Sequence, residues 1–181
     1  RLQGGSWTRL SRERAARLGL DGYMLGSMSF VEGPAYAVVP AQPSLDFADA
    51  RMTLECRVKL EGKPGNGRVL SKYAHEADAN AGRGWEVYID EESRVVFRLN
   101  DGEREHALKS AGKVPEGRWC ALACVSEGKG GKMRIFLDGR PDPAERPAPE
   151  RLRVVPVDLC IGGYGGGGVY LNGWLDEVRL S

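Results

Sequence analysis

The chain has 181 residues, 41% hydrophobic and 28% charged, which suits one domain with a core of its own and leaves little room for two. Its 26 basic and 25 acidic side chains leave a formal charge of +1, so no net field draws it onto phosphate backbones or anionic lipid, and neither nucleic acid nor a membrane is implied as a partner. No apolar run approaches the roughly 20 residues that span a bilayer, and no secretory signal opens the sequence, which starts at Arg1; we therefore expect a piece of a longer protein, with any export signal outside it.

Residues 1 to 26 read as a lead-in or linker. Leu10 to Gly19 combines good helix formers with a cap at Ser11 and a stop at Gly19, which predicts a short helix, although its positive charges would equally suit a solvated face. From residue 27 to 181 strand signals recur with turns between them. Met28 to Val31 and Tyr36 to Val39, separated by Glu32-Gly33-Pro34, predict a short hairpin broken by Pro and Gly. Met52 to Leu60 alternates strictly, which gives one buried and one polar face. Short strands are expected over Arg68 to Tyr73, Gly84 to Ile89, Arg94 to Leu99 and Glu105 to Leu108. Arg118 to Val125, Met133 to Arg140, Leu159 to Gly163 and Leu171 to Leu180 complete the series, and the Pro-rich stretch from Pro141 to Pro149 reads as an extended surface loop rather than a further strand. Eleven or so strands without a convincing long helix between them make an all-β, antiparallel sandwich.

The placement of the four cysteines argues against a dense disulfide framework. Cys120 and Cys124 lie four apart on one strand, hence about 13 Å apart on one face, too far to pair with each other. Cys56 shares the apolar face of Leu54 and Val58, and Cys160 sits between Leu159 and Ile161, so all four are expected to be buried and reduced. No Cys-x-x-Cys occurs, and His75 and His106 are far apart, which argues against zinc.

In order, Arg118-Trp119-Cys120-Ala121-Leu122, Leu137-Asp138-Gly139, Leu159-Cys160-Ile161-Gly162 and Gly173-Trp174-Leu175-Asp176-Glu177-Val178-Arg179 resemble the C-terminal half of the laminin G-like jelly roll of the concanavalin A-like lectin/glucanase group. Phe30 to Gly33, Tyr36 to Leu45, Met52 to Leu60, Leu70-Ser71-Lys72 and Gly84 to Tyr88 resemble its N-terminal half, so the resemblance covers about residues 27 to 181. It implies a two-sheet jelly roll in which Trp119 and Trp174, with Trp85, are buried aromatics. It further implies a structural calcium near the sandwich edge, with Asp176, Glu32 and Gly33 the residues to inspect.

Catalytic patterns are weak. Glycosidases of this group cluster carboxylates on one strand, but Glu86 and Asp90 are about 13 Å apart by strand rise, beyond the roughly 5 to 9.5 Å that glycoside hydrolysis uses. Glu91-Glu92-Ser93 reads as an acidic turn. Neither histidine stands beside a recognisable nucleophile, and the Gly162 to Gly168 run lacks the Lys-Ser/Thr of a phosphate-binding loop.

Sugars are held by aromatic stacking and by amide, carboxylate or guanidinium hydrogen bonds. Three places have that composition. The glycine-rich loop presents Tyr164, Tyr170 and Asn172, although it could equally be a plain chain reversal. The loop from Lys72 to Arg83 carries Tyr73, His75, Asp78, Asn80 and Arg83. Arg57, Lys59, Glu86, Tyr88, Arg98 and Asn100 fall opposite the apolar residues of their strands and could line one polar groove. The expectation is a non-catalytic carbohydrate-binding or adhesion module of a larger exported, periplasmic or cell-surface protein, with a glycan or glycoprotein and an adjacent domain as partners. The alternatives are a structural or protein-interaction domain, and a glycoside hydrolase or lyase with an unrecognised site.

Overall fold

The computed structural model describes residues 17–19, 27–31, 35–74, 82–164 and 169–181. Thirteen strands are found among them: β1 (Arg17–Gly19), β2 (Ser27–Ser29), β3 (Ala37–Val39), β4 (Arg51–Leu60), β5 (Gly67–Ala74), β6 (Arg83–Ile89), β7 (Val95–Asn100), β8 (Glu105–Lys109), β9 (Cys120–Glu127), β10 (Lys132–Leu137), β11 (Arg140–Pro147), β12 (Leu159–Ile161) and β13 (Gly173–Leu180). They form a seven-stranded sheet ordered β1-β2-β13-β4-β9-β10-β11 and a six-stranded sheet ordered β3-β12-β5-β6-β7-β8. The only helical element described is a single 3₁₀ turn at Pro43–Leu45. This is the expected antiparallel jelly-roll sandwich.

Alternation builds the core. On β4, Met52, Leu54, Cys56, Val58 and Leu60 point inward and meet Leu70, Trp85, Val87, Ile89, Phe97 and Leu99 of the opposite sheet. Fully burying one such aliphatic side chain contributes about 1.5 to 3 kcal/mol. Trp85 is the largest of these groups; its indole N–H donates to the Leu45 carbonyl at 3.0 Å, and Phe47 meets its ring edge-on at 6.0 Å between centroids. Gly162, at φ +77°, ends β12 where any side chain would collide with Phe30, whose ring lies 2.4 Å from the position of a Cβ.

Several sequence expectations are corrected. Arg17–Gly19, placed in the expected helix, is extended and pairs antiparallel with β2; the rest of that helix lies outside the described residues. β2 and β3 do not form a hairpin: β2 pairs with β13 in one sheet and β3 with β12 in the other, so the chain between them changes sheets. The Pro-rich stretch is a strand, not a loop. Asp138 and Gly139 both have positive φ, +51° and +74°, as a type I′ two-residue hairpin requires, and they fold β11 back along β10. Only Ile135 faces residues 142–144, so Pro143 falls in a bulge, and β11 is an edge strand, where missing proline N–H groups are tolerated.

The open side of the sandwich is tied by side chains. Asp142 accepts hydrogen bonds from the backbone N–H groups of Ala111 (2.9 Å) and Gly112 (2.7 Å), and Arg146 donates to the Ala107 carbonyl at 2.9 Å. Lys72 is buried with its ammonium bonded to the carbonyls of Val155 (2.8 Å) and Val157 (3.1 Å) and paired with Asp46 (3.1 Å). It pins the 150–158 crossing segment to the six-stranded sheet.

All four cysteines are buried and unbridged. Burial pushes the Cys56 thiol up to about 12 and, with the Asp138 charge nearby, the Cys120 thiol up to about 11. Cys124 is raised by the same burial. Trp119 and Trp174, expected in the core, are only half-buried. Trp174 stands opposite Lys59 on the outer face of the seven-stranded sheet, with the Lys59 ammonium 4.5 Å from its ring centre, while Cys120 and Leu175 take the inward positions.

Candidate functional site

The outward register of β5, β6 and β7 assembles a strip of tyrosines and arginines. Ladder pairs share a face, so Arg68 with Tyr88, Ser71 with Glu86, and Glu86 with Arg98 place these five side chains on the outer side of the six-stranded sheet, followed by Asn100 and Glu105. A bulge between Arg68 and Leu70 brings Arg68 onto the same face as Ser71 and Tyr73. At one end Tyr170 bridges to Arg68, and its ring stacks on Tyr36 at 6.2 Å.

Glu86 organises the strip. It is 0% exposed, and its carboxylate meets Arg68 Nε at 3.2 Å, Arg98 Nη1 at 2.9 Å and the Ser71 hydroxyl at 3.3 Å. Arg98 also reaches Glu105 at 3.2 Å and donates to the Tyr88 hydroxyl at 3.0 Å. The Arg68 guanidinium lies 4.6 Å and that of Arg98 5.1 Å from the centre of the Tyr88 ring, and Arg98 lies 5.5 Å from that of Tyr73. The Tyr73 hydroxyl donates to Glu105 at 3.3 Å; burial first, then the Glu105 charge, push it up to about 12. The guanidinium groups are thus held over the tyrosine rings, while Tyr88, Arg98 and Asn100 keep part of their surface in solvent.

The sequence candidates separate. Tyr88, Arg98, Glu86 and Asn100 lie together on this face, and Tyr170 adjoins it. Arg57 and Lys59 belong to β4 in the other sheet, so the single expected groove divides between two outer faces, because alternation assigns a side of a strand but not a sheet. Tyr164 is half-buried beside the glycine run. The Asn172 amide donates to the Glu61 carbonyl and braces a turn. Arg83 pairs with Ala74, in register with the inward Trp85, and borders a separate surface depression with Asp101, Gly102 and Arg153. His75, Asp78 and Asn80 lie outside the described residues. Arg68 and Glu105 were missed; the signal for Arg68 was masked by the bulge that shifts its parity.

Other polar centres have structural roles. Asp90 caps the acidic turn, accepting from Glu92 N (3.1 Å) and Arg94 N (2.8 Å). His106 is buried with Nε2 2.8 Å from Asp101. Burial would raise the Asp101 carboxyl, but His106 and the N–H groups of Arg104 and Glu103 outweigh it and hold it down at about 2. Among the described residues no three acidic, histidine or cysteine side chains converge, and Asp176 accepts from Glu177 N at 2.8 Å and stands across the ladder from Arg57, a cation that opposes a second one. Glu32 and Gly33 lie outside the described residues.

The chain belongs to the concanavalin A-like lectin/glucanases superfamily, whose family model matches residues 32–181. No curated protein sequence matches it. Its fold is shared with domain 4 of AbnA, a GH43 extracellular arabinanase from Geobacillus stearothermophilus, in complex with arabinotriose, at 14% identity and TM-score 0.66 over 88% of this chain and 72% of that one. The Ruminococcus gnavus IT-sialidase CBM40 bound to alpha2,3 sialyllactose is similar at 16% identity and TM-score 0.65, over 85% of this chain and 88% of that one. Domains LG4-5 of the mouse laminin alpha1 chain align at 17% identity and TM-score 0.61; 86% of this chain is covered but only 40% of the laminin chain.

Proposed function

We propose that this domain is a non-catalytic glycan-recognition module, and that the outer face of the six-stranded sheet is where the glycan lies. The observation that carries the reading is the Tyr88–Arg98 pair: a partly open aromatic ring hydrogen-bonded to a guanidinium that the buried Glu86 fixes in advance. Stacking on a ring and hydrogen bonding from a fixed fork are what a sugar needs, and prior fixation lowers the ordering cost of binding. The fold-mates solved with arabinotriose and with sialyllactose support the same reading. We place the domain in a larger exported or surface protein, beside another domain; that one fold-mate belongs to an extracellular arabinanase supports this.

Five carboxylates lack the character of a general acid. Asp90, Asp101, Glu127, Asp138 and Asp142 are all held below the ordinary carboxylate range, the opposite of what a general acid requires. An interaction domain should present an apolar patch, whereas among the described residues Val154 is the only large hydrophobic side chain counted as exposed. The test is a glycan array on the folded domain, with calcium and with chelator, followed by titration of the best hit. Saturable binding reduced at least tenfold by Tyr88→Ala or Arg98→Ala is expected; an empty array would overturn the reading, and loss of binding in chelator would add calcium to it.

A further inference from the structure

We infer that the glycan bound at this face is uncharged, and that Glu86 and Glu105 set that preference; the inference rests on the glycan-binding reading above. An arginine recognises a carboxylate by turning a pair of its N–H groups toward it. Here both guanidinium groups already stand against carboxylates. Arg68 turns Nε to Glu86 at 3.2 Å and Nη1 to the Asn66 carbonyl at 2.8 Å. Arg98 is ion-paired with Glu86 (Nη1, 2.9 Å) and with Glu105 (Nε, 3.2 Å) and donates from Nη2 to the Tyr88 hydroxyl at 3.0 Å. Two guanidinium charges are thus cancelled by two carboxylates within the strip. Lys109, further along the same face opposite Val96, is held by Asp90 and by Glu92 at 3.2 Å.

A sugar carboxylate or sulfate arriving here finds Arg68, Arg98 and Lys109 already paired with carboxylates. It finds Glu105 instead, whose side chain is 42% exposed beside Arg98. Like charges brought together in an interface are strongly disfavoured. Sugar hydroxyls meet no such conflict, since they donate to Glu105 and accept from the outer N–H edges of the arginines. The same geometry that orients the arginines for hydroxyl groups therefore rejects anions.

The test uses matched pairs on the array: lactose with alpha2,3 sialyllactose, and neutral oligosaccharides with the uronates obtained by oxidising their C6 carbons. For the best neutral binder, the wild-type domain is expected to prefer it over its anionic partner by roughly tenfold or more, and Glu105→Gln, at a half-exposed position, to narrow that ratio severalfold. Equal or tighter binding of the anionic member, or a ratio unmoved by Glu105→Gln, overturns the inference and leaves glycan binding standing. No saturable binding to any member overturns the glycan reading itself, and the inference with it.

Discussion

Glu86 and Arg98 form a 2.9 Å ion pair across adjacent strands on the outer face of the six-stranded sheet, yet the Glu86 side chain has no solvent exposure. A carboxylate in that position is held by its partners rather than by water. Glu86→Gln leaves two guanidinium groups without their shared counter-charge and is expected to cost about 3 to 5 kcal/mol, as breaking a buried pair does. Glu105→Gln, at the rim, is expected to cost less than about 1 kcal/mol. Urea unfolding of both variants checks the contrast; equal losses would mean that Glu86 is not the organising charge.

Lys72→Met removes the ammonium from the Val155 and Val157 carbonyls and from Asp46. An expected loss of about 3 kcal/mol follows from acceptors left buried without a donor. Amide exchange should quicken in segment 150–158 before the sheets themselves, and a uniform change along the chain would contradict the latch.

Alkaline pH should unfold the domain early. Cys56 at about 12, Cys120 at about 11 and Tyr73 at about 12 are all raised above their ordinary values. A raised group favours folding below its unfolded pKa, and that stability is lost as pH climbs through the folded value. The Tm is therefore expected to be flat up to about pH 8.5 and to fall beyond it, less steeply in Cys56→Ala. Asp101, depressed to about 2, acts at the other end: its stabilisation is present above about pH 4 and fades as pH falls through about 2, so Asp101→Asn should flatten the acid limb.

The tryptophans should divide by face. Trp85→Ala is expected to cost about 3 to 5 kcal/mol, because the ring is enclosed and its N–H is bonded to the Leu45 carbonyl. Trp174→Ala removes a half-buried ring on the outer surface and should cost less than half as much. Denaturant midpoints distinguish the two, and equal costs would put Trp174 back in the core.

What the sequence disclosed depended on range. The alternation of Met52 to Leu60 is a local property and gave β4 and its buried face directly, and the Asp138-Gly139 pair carried a hairpin signal that the prolines after it obscured. The partners of β2 and β3 are over 100 residues away in the chain, at β13 and β12, and no local pattern distinguishes that arrangement from a hairpin. At the candidate site, Tyr88, Glu86 and Arg98 were legible by parity, whereas the bulge after Arg68 moved that residue across the pleat and hid it.

The most direct measurement is backbone amide chemical-shift mapping while the domain is titrated with its best neutral glycan from the array. Saturable shifts concentrated on Tyr88, Arg98 and Asn100, abolished in Tyr88→Ala, are the predicted result. Shifts gathered instead around Lys59 and Trp174 on the opposite face, or none at saturating sugar, would contradict the account.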